Sequence, residues 1–132
     1  MKIKSSQTLV EEAKRNIETL DSNVVKRLFE KKEISLIDIR DIRELWNEGT
    51  IEHSKHIPRG MLEFWLDPDS SYYKLNKVQE EKKMVLFCAL GSRSALATKS
   101  LIDMGFTNVA HVGGGFDALK KSGLKVILKD KK

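Results

Sequence analysis

Two short runs of apolar residues, each followed by a polar loop and then a helical pattern, constrain the fold of this chain more than any other feature. The runs are ISLIDI at residues 34–39 and MVLF at residues 84–87. Such short, apolar runs are typical of strands that helices cover on both faces of a sheet. A third strand is predicted at residues 108–112, NVAHV. Strands that alternate with helices predict an α/β domain built on a mostly parallel sheet.

Helical patterns between these strands complete the predicted order of elements. Apolar residues recur with the spacing of a helix face in the segments 7–19, 21–33, 40–49, 96–104 and 116–122. The remaining predictions are a short strand at 56–57, a helical turn within 58–65, turns at 66–73 and 113–115, and a helix around 75–82. The sequence contains no internal repeat or linker, so we predict that it folds around one core.

Composition and charge exclude several classes of protein. The chain has 132 residues and one cysteine, so it forms no internal disulfide and no cysteine-rich zinc site. No segment has the length of a membrane span or the apolar core of a signal peptide, and we expect a cytoplasmic protein with no membrane partner. Much of the net charge of +5 comes from a basic tail and scattered pairs of lysines, without an aromatic platform. We therefore expect no nucleic-acid partner and a positive field that favours small anionic substrates.

The only cysteine of the chain lies in the segment VLFCALGSRSALA. Cys88 follows a predicted strand, in the region where open parallel sheets bind their ligands. Gly91 and Arg93 precede a predicted helix, whose first amide groups have no partner within the helix and attract an anion. A thiolate is such an anion, and helix N-termini and arginines stabilise it. The segment therefore predicts a nucleophilic sulfur, with the hydroxyls of Ser92 and Ser94 close by.

Other polar residues have simpler interpretations. Cys88 itself could instead fill the core at a strand end, because cysteine is among the most buried residue types. Glu44 and Glu48 share a helix face, and we predict that both are solvated. The histidines lack the spacing of metal ligands, so we expect no metal site and ordinary surface or core positions for His53, His56 and His111.

Two segments resemble the single-domain rhodaneses. The stretch from CALGSR to FDAL is similar to the catalytic half of that family, and LIDIRDIRELWNEGTI to its first strand and helix. The loop C-x-x-G-x-R is the more specific match. The resemblance covers residues 23–126 and implies a rhodanese-like domain at 23–132 after an N-terminal helical extension at 1–22. It implies a three-layer α/β fold, with a mostly parallel sheet of about five strands between two layers of helices. The chain departs from the family at residues 49–54, which lack a usual histidine and glycine, and at Leu119, where tryptophan is common.

The resemblance implies a sulfurtransferase without a cofactor. Cys88 would take a sulfane sulfur from thiosulfate or a persulfide donor and pass it to a thiophilic acceptor such as cyanide, a thiol or a protein. The residues implied to bind the resulting persulfide are Ala89, Leu90, Gly91, Ser92, Arg93 and Ser94. Arg59 is a further candidate for contact with the donor anion, whereas Asp38 and Arg40 are predicted to support the structure. We expect a monomer or a weak homodimer.

Two other functions stay open. Cysteine-dependent phosphatases use C-x5-R, and this chain has one residue fewer between Cys88 and Arg93. One residue adds up to about 3.5 Å of chain, which decides whether a ring of amides spans a phosphate or only a sulfur. The other alternative is a non-catalytic module of the same fold that binds or senses sulfur. Modules of that kind lack the cysteine, so Cys88 argues against it.

Overall fold

The computed structural model describes residues 1–74 and 81–131, and a sheet of five parallel strands forms its centre. The strands along the chain are β1 (Glu18–Leu20), β2 (Ile34–Asp38), β3 (Thr50–Ile51), β4 (Lys55–His56), β5 (Lys83–Phe87), β6 (Val109–Val112) and β7 (Val126–Ile127). The central sheet has the order β1-β6-β5-β2-β4, and β3 pairs with β7 in a separate antiparallel ribbon. The strand β5, which leads to Cys88, is therefore the middle strand.

Helices cover both faces of this sheet. They are α1 (Ser6–Arg15), α2 (Ser22–Glu30), α3 (Ile42–Glu48), α4 (Leu62–Leu66), α5 (Ser92–Met104) and α6 (Gly115–Lys121). Alternate residues of β5 point to opposite faces, as the pleat of a strand requires. Met84 and Leu86 pack in one core with α4 and α5, while Val85 and Phe87 pack in the other with α2 and α6. The three-layer α/β fold predicted from the sequence is confirmed.

Local sequence determines where several helices begin and end. Asp21 accepts a hydrogen bond from an amide at the start of α2, and Asp41 does the same at the start of α3. Such caps satisfy amide groups that have no partner within the helix. The helix α5 lies between Gly91 and Gly105, both with positive φ angles of 119° and 109°. Glycine adopts this conformation without the steric penalty that a side chain brings.

The structure corrects the predicted first helix. The helical spacing predicted a helix over 7–19, but α1 ends at Arg15 and residues 18–20 form β1 instead. Strand β1 pairs in parallel with β6, which is about 90 residues away in the sequence. Local spacing contains no signal for such a partner. The division of the chain at residue 22 stays a prediction, and β1 lies on its N-terminal side.

The remaining segments are short. The strand predicted at 56–57 is β4, one residue earlier than expected, and the helical turn predicted within 58–65 is a 3₁₀ turn at Arg59–Met61 followed by α4. Residues 75–80 of the helix predicted around 75–82 lie outside the described residues, and residues 81–82 form a turn before β5 rather than a helix. Within the described ranges, no helix is long and apolar enough to cross a membrane.

Candidate active site

Cys88 lies at the carboxyl end of β5, and its sulfur is held by backbone amides. Sγ accepts hydrogen bonds from the N–H of Gly91 at 3.1 Å and from the N–H of Ser94 at 3.4 Å. The residue is only 1% exposed and belongs to the core beside α5. Cys88 is therefore a core residue, as the simpler interpretation has it, whose sulfur also occupies a polar anion site.

The start of α6 turns the loop carbonyls away from this sulfur. The carbonyl oxygen of Cys88 accepts a hydrogen bond from Phe116 N–H at 2.8 Å, and that of Ala89 accepts one from Asp117 N–H at 3.4 Å. Gly115 makes this approach possible, because a Cβ atom there would lie 2.5 Å from the Cys88 oxygen. Gly115 also has a φ of 58°, a conformation that favours glycine. With its carbonyls bound to α6, the loop directs amides to the sulfur.

The side chains of the loop divide between the interior and the surface. Ser94 is fully buried, and its Oγ lies 3.6 Å from Cys88 Sγ. Ser92 lies on the exposed side of the loop, and Leu90 is 72% exposed at its rim. Of the two serines predicted near the sulfur, Ser94 is the one that the structure brings into contact with it.

Arg93 binds Glu44 of α3 through two hydrogen bonds of 2.7 and 3.0 Å. The bond from Arg93 lowers the pKa of Glu44 although burial opposes it, and the same bond raises the pKa of Arg93. Glu44 also accepts the N–H of Asp41 in a capping box. The prediction that Glu44 is merely solvated is therefore wrong. Its capping-box spacing is visible in the sequence, but its contact with a residue 49 positions away is not.

Asp38 and Arg40 form a buried ion pair at the end of the neighbouring strand β2. The Arg40 Nη2 lies 2.8 Å from Asp38 Oδ2 and 2.7 Å from the carbonyl oxygen of Gly49, and Thr50 Oγ1 donates to the same carboxylate at 2.7 Å. The guanidinium also lies over the ring of Phe116, 4.1 Å from its centre. The pair thus ties β2 to the segment after α3 and to α6.

Arg59 binds a carboxylate of its own helical turn. Its Nη1 lies 2.9 and 3.0 Å from the two oxygens of Glu63, which also accepts the hydroxyl of Ser100 at 2.6 Å. Burial raises the pKa of Glu63, but the bond from Ser100 and the charge of Arg59 outweigh it and keep the pKa low. A role of Arg59 in donor binding stays a prediction, and it requires the guanidinium to share its charge with Glu63.

His111 lies in the core, one of the two positions predicted for it, and the sequence does not show which side chains it contacts. Its Nδ1 lies 2.8 Å from Ser94 Oγ and its Nε2 lies 2.9 Å from Thr19 Oγ1. Burial, with a smaller contribution from the charge of Lys14, lowers the pKa of His111 to about 4. A polar residue in the apolar strand NVAHV was the available signal, because buried polar groups require partners.

The other predicted or open features lie away from this loop. No group of three or more acidic, histidine or cysteine side chains that could hold a metal occurs among residues 1–74 and 81–131. A cavity of about 510 Å³ opens near Ile34 and Leu36, at the opposite end of the sheet from Cys88. The loop after β5 is therefore the candidate active site.

A buried cysteine held by amides, between a central parallel strand and a helix N-terminus, defines an α/β protein with a thiol-based anion site. The chain belongs to the rhodanese family: the family model of the Rhodanese-like domain matches residues 21–122. The family inferred from the sequence is confirmed.

Three proteins that are similar to this chain have different descriptions. A structure from Rhodopseudomonas palustris CGA009, described as a protein of unknown function and possible tyrosine phosphatase, is 41% identical with a TM-score of 0.89, and 96% of this chain and 97% of that chain are covered. The polysulfide-sulfur transferase homodimer of Wolinella succinogenes is 31% identical with a TM-score of 0.71, and the match covers 95% of this chain and 88% of that chain. Thiosulfate sulfurtransferase/rhodanese-like domain-containing protein 3 of Mus musculus is 31% identical over 96 residues, 70% of this chain. This chain spans 61% of the mouse protein's length.

Proposed function

We propose that this protein is a sulfurtransferase that carries a sulfane sulfur on Cys88. The observation that carries the proposal is the pair of amide hydrogen bonds from Gly91 and Ser94 to Sγ. Preorganised donors of this kind stabilise negative charge on a reacting atom. Membership of the rhodanese family and the similarity to the Wolinella succinogenes polysulfide-sulfur transferase support the same conclusion.

The proposed reaction has two displacement steps. The Cys88 thiolate attacks the outer sulfur of thiosulfate, a new S–S bond forms, and the S–S bond of the donor breaks with its electron pair leaving on sulfite. An acceptor thiolate or cyanide then attacks the outer sulfur of the persulfide, and the Cys88 thiolate is released. Neither step requires a cofactor. Because the chain has one cysteine, the persulfide is discharged to another molecule.

The loop would stabilise the persulfide as well as the thiolate. The outer sulfur of a persulfide lies about 2.05 Å beyond Sγ, so it extends toward the loop amides between Ala89 and Ser94. Arg93 would attract the dianionic donor, with Glu44 fixing its guanidinium beside the loop. A free thiol at the site suits a reducing compartment, and a cytoplasmic location is part of this proposal.

Intact-mass spectrometry after incubation with a sulfur donor tests the proposal. Thiosulfate, polysulfide and a small persulfide serve as donors, because the physiological donor is not specified by the site. We expect the protein to gain one sulfur atom and to lose it on addition of cyanide or a thiol. Cys88→Ser, which keeps the size of the side chain, gains none. No gain with any donor would instead support a module that only binds sulfur compounds.

A phosphatase is the second candidate, because the R. palustris structure is described as a possible tyrosine phosphatase. The short C-x4-R loop opposes it, because a ring of amides with one residue fewer is too small to span a phosphate. Turnover of an aryl phosphate and of thiosulfate, measured on the same preparation, separates the two reactions. We expect sulfur transfer to be faster, and the opposite order would favour the phosphatase.

A further inference from the structure

The thiol of Cys88 has to lose a proton before it can act as a nucleophile, although the residue is only 1% exposed. A row of hydrogen-bonded side chains leads away from it. Ser94 Oγ lies 3.6 Å from Sγ, His111 Nδ1 lies 2.8 Å from that oxygen, and Thr19 Oγ1 lies 2.9 Å from His111 Nε2. Ser94 and His111 are fully buried, whereas Thr19 is exposed. The row therefore connects the buried sulfur with the protein surface.

His111 is suited to pass a proton without holding a charge. A neutral imidazole donates from one ring nitrogen and accepts at the other, and it can exchange these roles. Burial and the positive charge of Lys14 on α1 oppose protonation, so the ring is neutral near pH 7. The neighbours at both ring nitrogens are hydroxyl groups, which also donate and accept.

Ser94 has a single hydroxyl proton and three acceptors within reach. Besides His111 Nδ1 and the sulfur, the carbonyl oxygen of Gly91 lies 3.2 Å from Oγ. The contact with His111 is the shortest of the three. When the sulfur is a thiol, Ser94 can donate to His111 and accept the S–H. When the sulfur is a thiolate, it can only accept a hydrogen bond, so the Ser94 hydroxyl donates to the sulfur instead of to His111.

We propose that Ser94, His111 and Thr19 form a proton path between Cys88 and solvent. The proposal rests on the proposed nucleophilic role of Cys88 and extends it. In one passage the thiol proton moves to Ser94 Oγ, the serine proton moves to His111 Nδ1, the Nε2 proton moves to Thr19 Oγ1, and the threonine proton leaves to water. One proton is released for each thiolate formed, and Ser94 then donates to the thiolate. His111 and Thr19 are positioning residues, since neither contacts the sulfur.

The path predicts that the histidine tautomer depends on the state of the sulfur. With a neutral group at position 88, His111 carries its proton on Nε2, and with a thiolate it carries it on Nδ1. Nitrogen-15 NMR of the imidazole ring distinguishes the two forms. We compare wild-type protein at alkaline pH with Cys88→Ser, whose hydroxyl stays neutral. We expect the proton to reside on opposite nitrogens in the two proteins, and the same tautomer in both would overturn the proposal.

Kinetics supply an independent test. In His111→Gln the side-chain amide retains one donor and one acceptor but cannot exchange them. We expect the rate of sulfur loading at saturating thiosulfate to fall about a hundredfold, the lower end of the range for proton-transfer effects, with an unchanged KM for thiosulfate. Thr19→Val reduces the rate in the same way, and Thr19→Ser restores it. Thr98→Val is the matched control, because this buried hydroxyl on α5 has no hydrogen-bond partner among the described residues.

The outcomes separate this proposal from the proposed function. Loading at the wild-type rate in His111→Gln or in Thr19→Val overturns the proton path and leaves the sulfurtransferase intact. If His111→Gln fails to fold, the loading rates of Thr19→Val and Thr19→Ser test the path instead, because Thr19 is exposed. If the wild-type protein loads no sulfur at all, the proposed function fails, while the NMR comparison still tests the path.

Discussion

Two neighbouring strands of the central sheet are each followed by a polar site at the same edge, and the two sites differ in which groups bind them. At the end of β2, Asp38 is buried against Arg40, which lies two residues further along the chain. At the end of β5, Cys88 is followed by Arg93, which turns outward and binds Glu44 on another helix. Both sites lie at the carboxyl edge of the sheet, where ligands bind in parallel α/β proteins. Asp38 therefore has a cation bound directly to it, whereas the hydrogen bonds that Cys88 Sγ accepts come from backbone amides.

The difference shows how one edge of a sheet serves structure and chemistry at once. The carboxylate of Asp38 accepts hydrogen bonds from the backbone N–H and the guanidinium of Arg40 and from the hydroxyl of Thr50. These donors occupy both of its oxygens, so it cannot also bind a ligand. The sulfur of Cys88 accepts hydrogen bonds from two backbone amides, and the side chain of Arg93 at the same loop is 43% exposed. We therefore expect changes at the first site to reduce stability, and changes at the second to reduce activity.

The largest effect on stability is expected for Asp38→Ala. It leaves the buried Arg40 without its counter-ion, and losing one partner of a buried pair costs about 3–5 kcal/mol. Urea unfolding measures this loss, while the folded protein still loads sulfur. Asp41→Asn is the matched control, since Asp41 pairs with Arg43 at the same two-residue spacing but is exposed, and asparagine retains the helix cap. Equal destabilisation by both variants would contradict the comparison.

The next largest effect is expected for Gly115→Ala, which should reduce both stability and activity. The new Cβ would lie 2.5 Å from the Cys88 oxygen at a φ of 58°, so the loop has to move. We expect about 2–4 kcal/mol of lost stability, from the unfavourable backbone conformation and the steric clash, together with a loss of sulfur loading. Gly60→Ala is the control, because a Cβ there meets nothing within 4 Å. Normal sulfur loading by Gly115→Ala would show that α6 does not hold the loop in its active form.

Glu44→Gln is expected to change activity more than stability. The Glu44–Arg93 pair is partly exposed, and such pairs contribute about 0.2–1 kcal/mol. Without it the guanidinium loses its fixed position, so we expect the KM for thiosulfate to change several-fold while stability falls only slightly. Steady-state kinetics and urea unfolding measure the two effects. Glu48→Gln, on the same helix, should change neither, and an identical result for both variants would exclude a role for the pair.

The smallest expected effect is a pH dependence. The pKa of Glu44 is lowered in the folded protein, so its pair with Arg93 contributes full stability above the unfolded glutamate value of about 4.3. This contribution is lost as the pH falls through the lowered pKa. The difference in unfolding free energy between wild-type protein and Glu44→Gln should therefore shrink on acidification below pH about 4. A difference that grows on acidification would contradict this assignment.

Much of the fold follows from local patterns. The apolar runs place β2, β5 and β6, and helical spacing places α2, α3 and α5. The strand β1 did not follow from such patterns, because residues 18–20 gain strand geometry from pairing with β6 rather than from their own spacing. The ribbon of β3 and β7 likewise joins two dipeptides from distant parts of the chain.

The candidate site also has features that follow from local sequence and features that depend on contacts between distant segments. The sequence by itself determined that Cys88 stands between a buried strand and a helix N-terminus, since strand, glycine and arginine all lie within one short segment. Only the tertiary structure decided that Glu44 holds Arg93, that Gly115 admits the loop carbonyls, and that His111 reaches Ser94. Spacing along the chain reports neighbours within one element, whereas these contacts join elements that meet only when the sheet has formed.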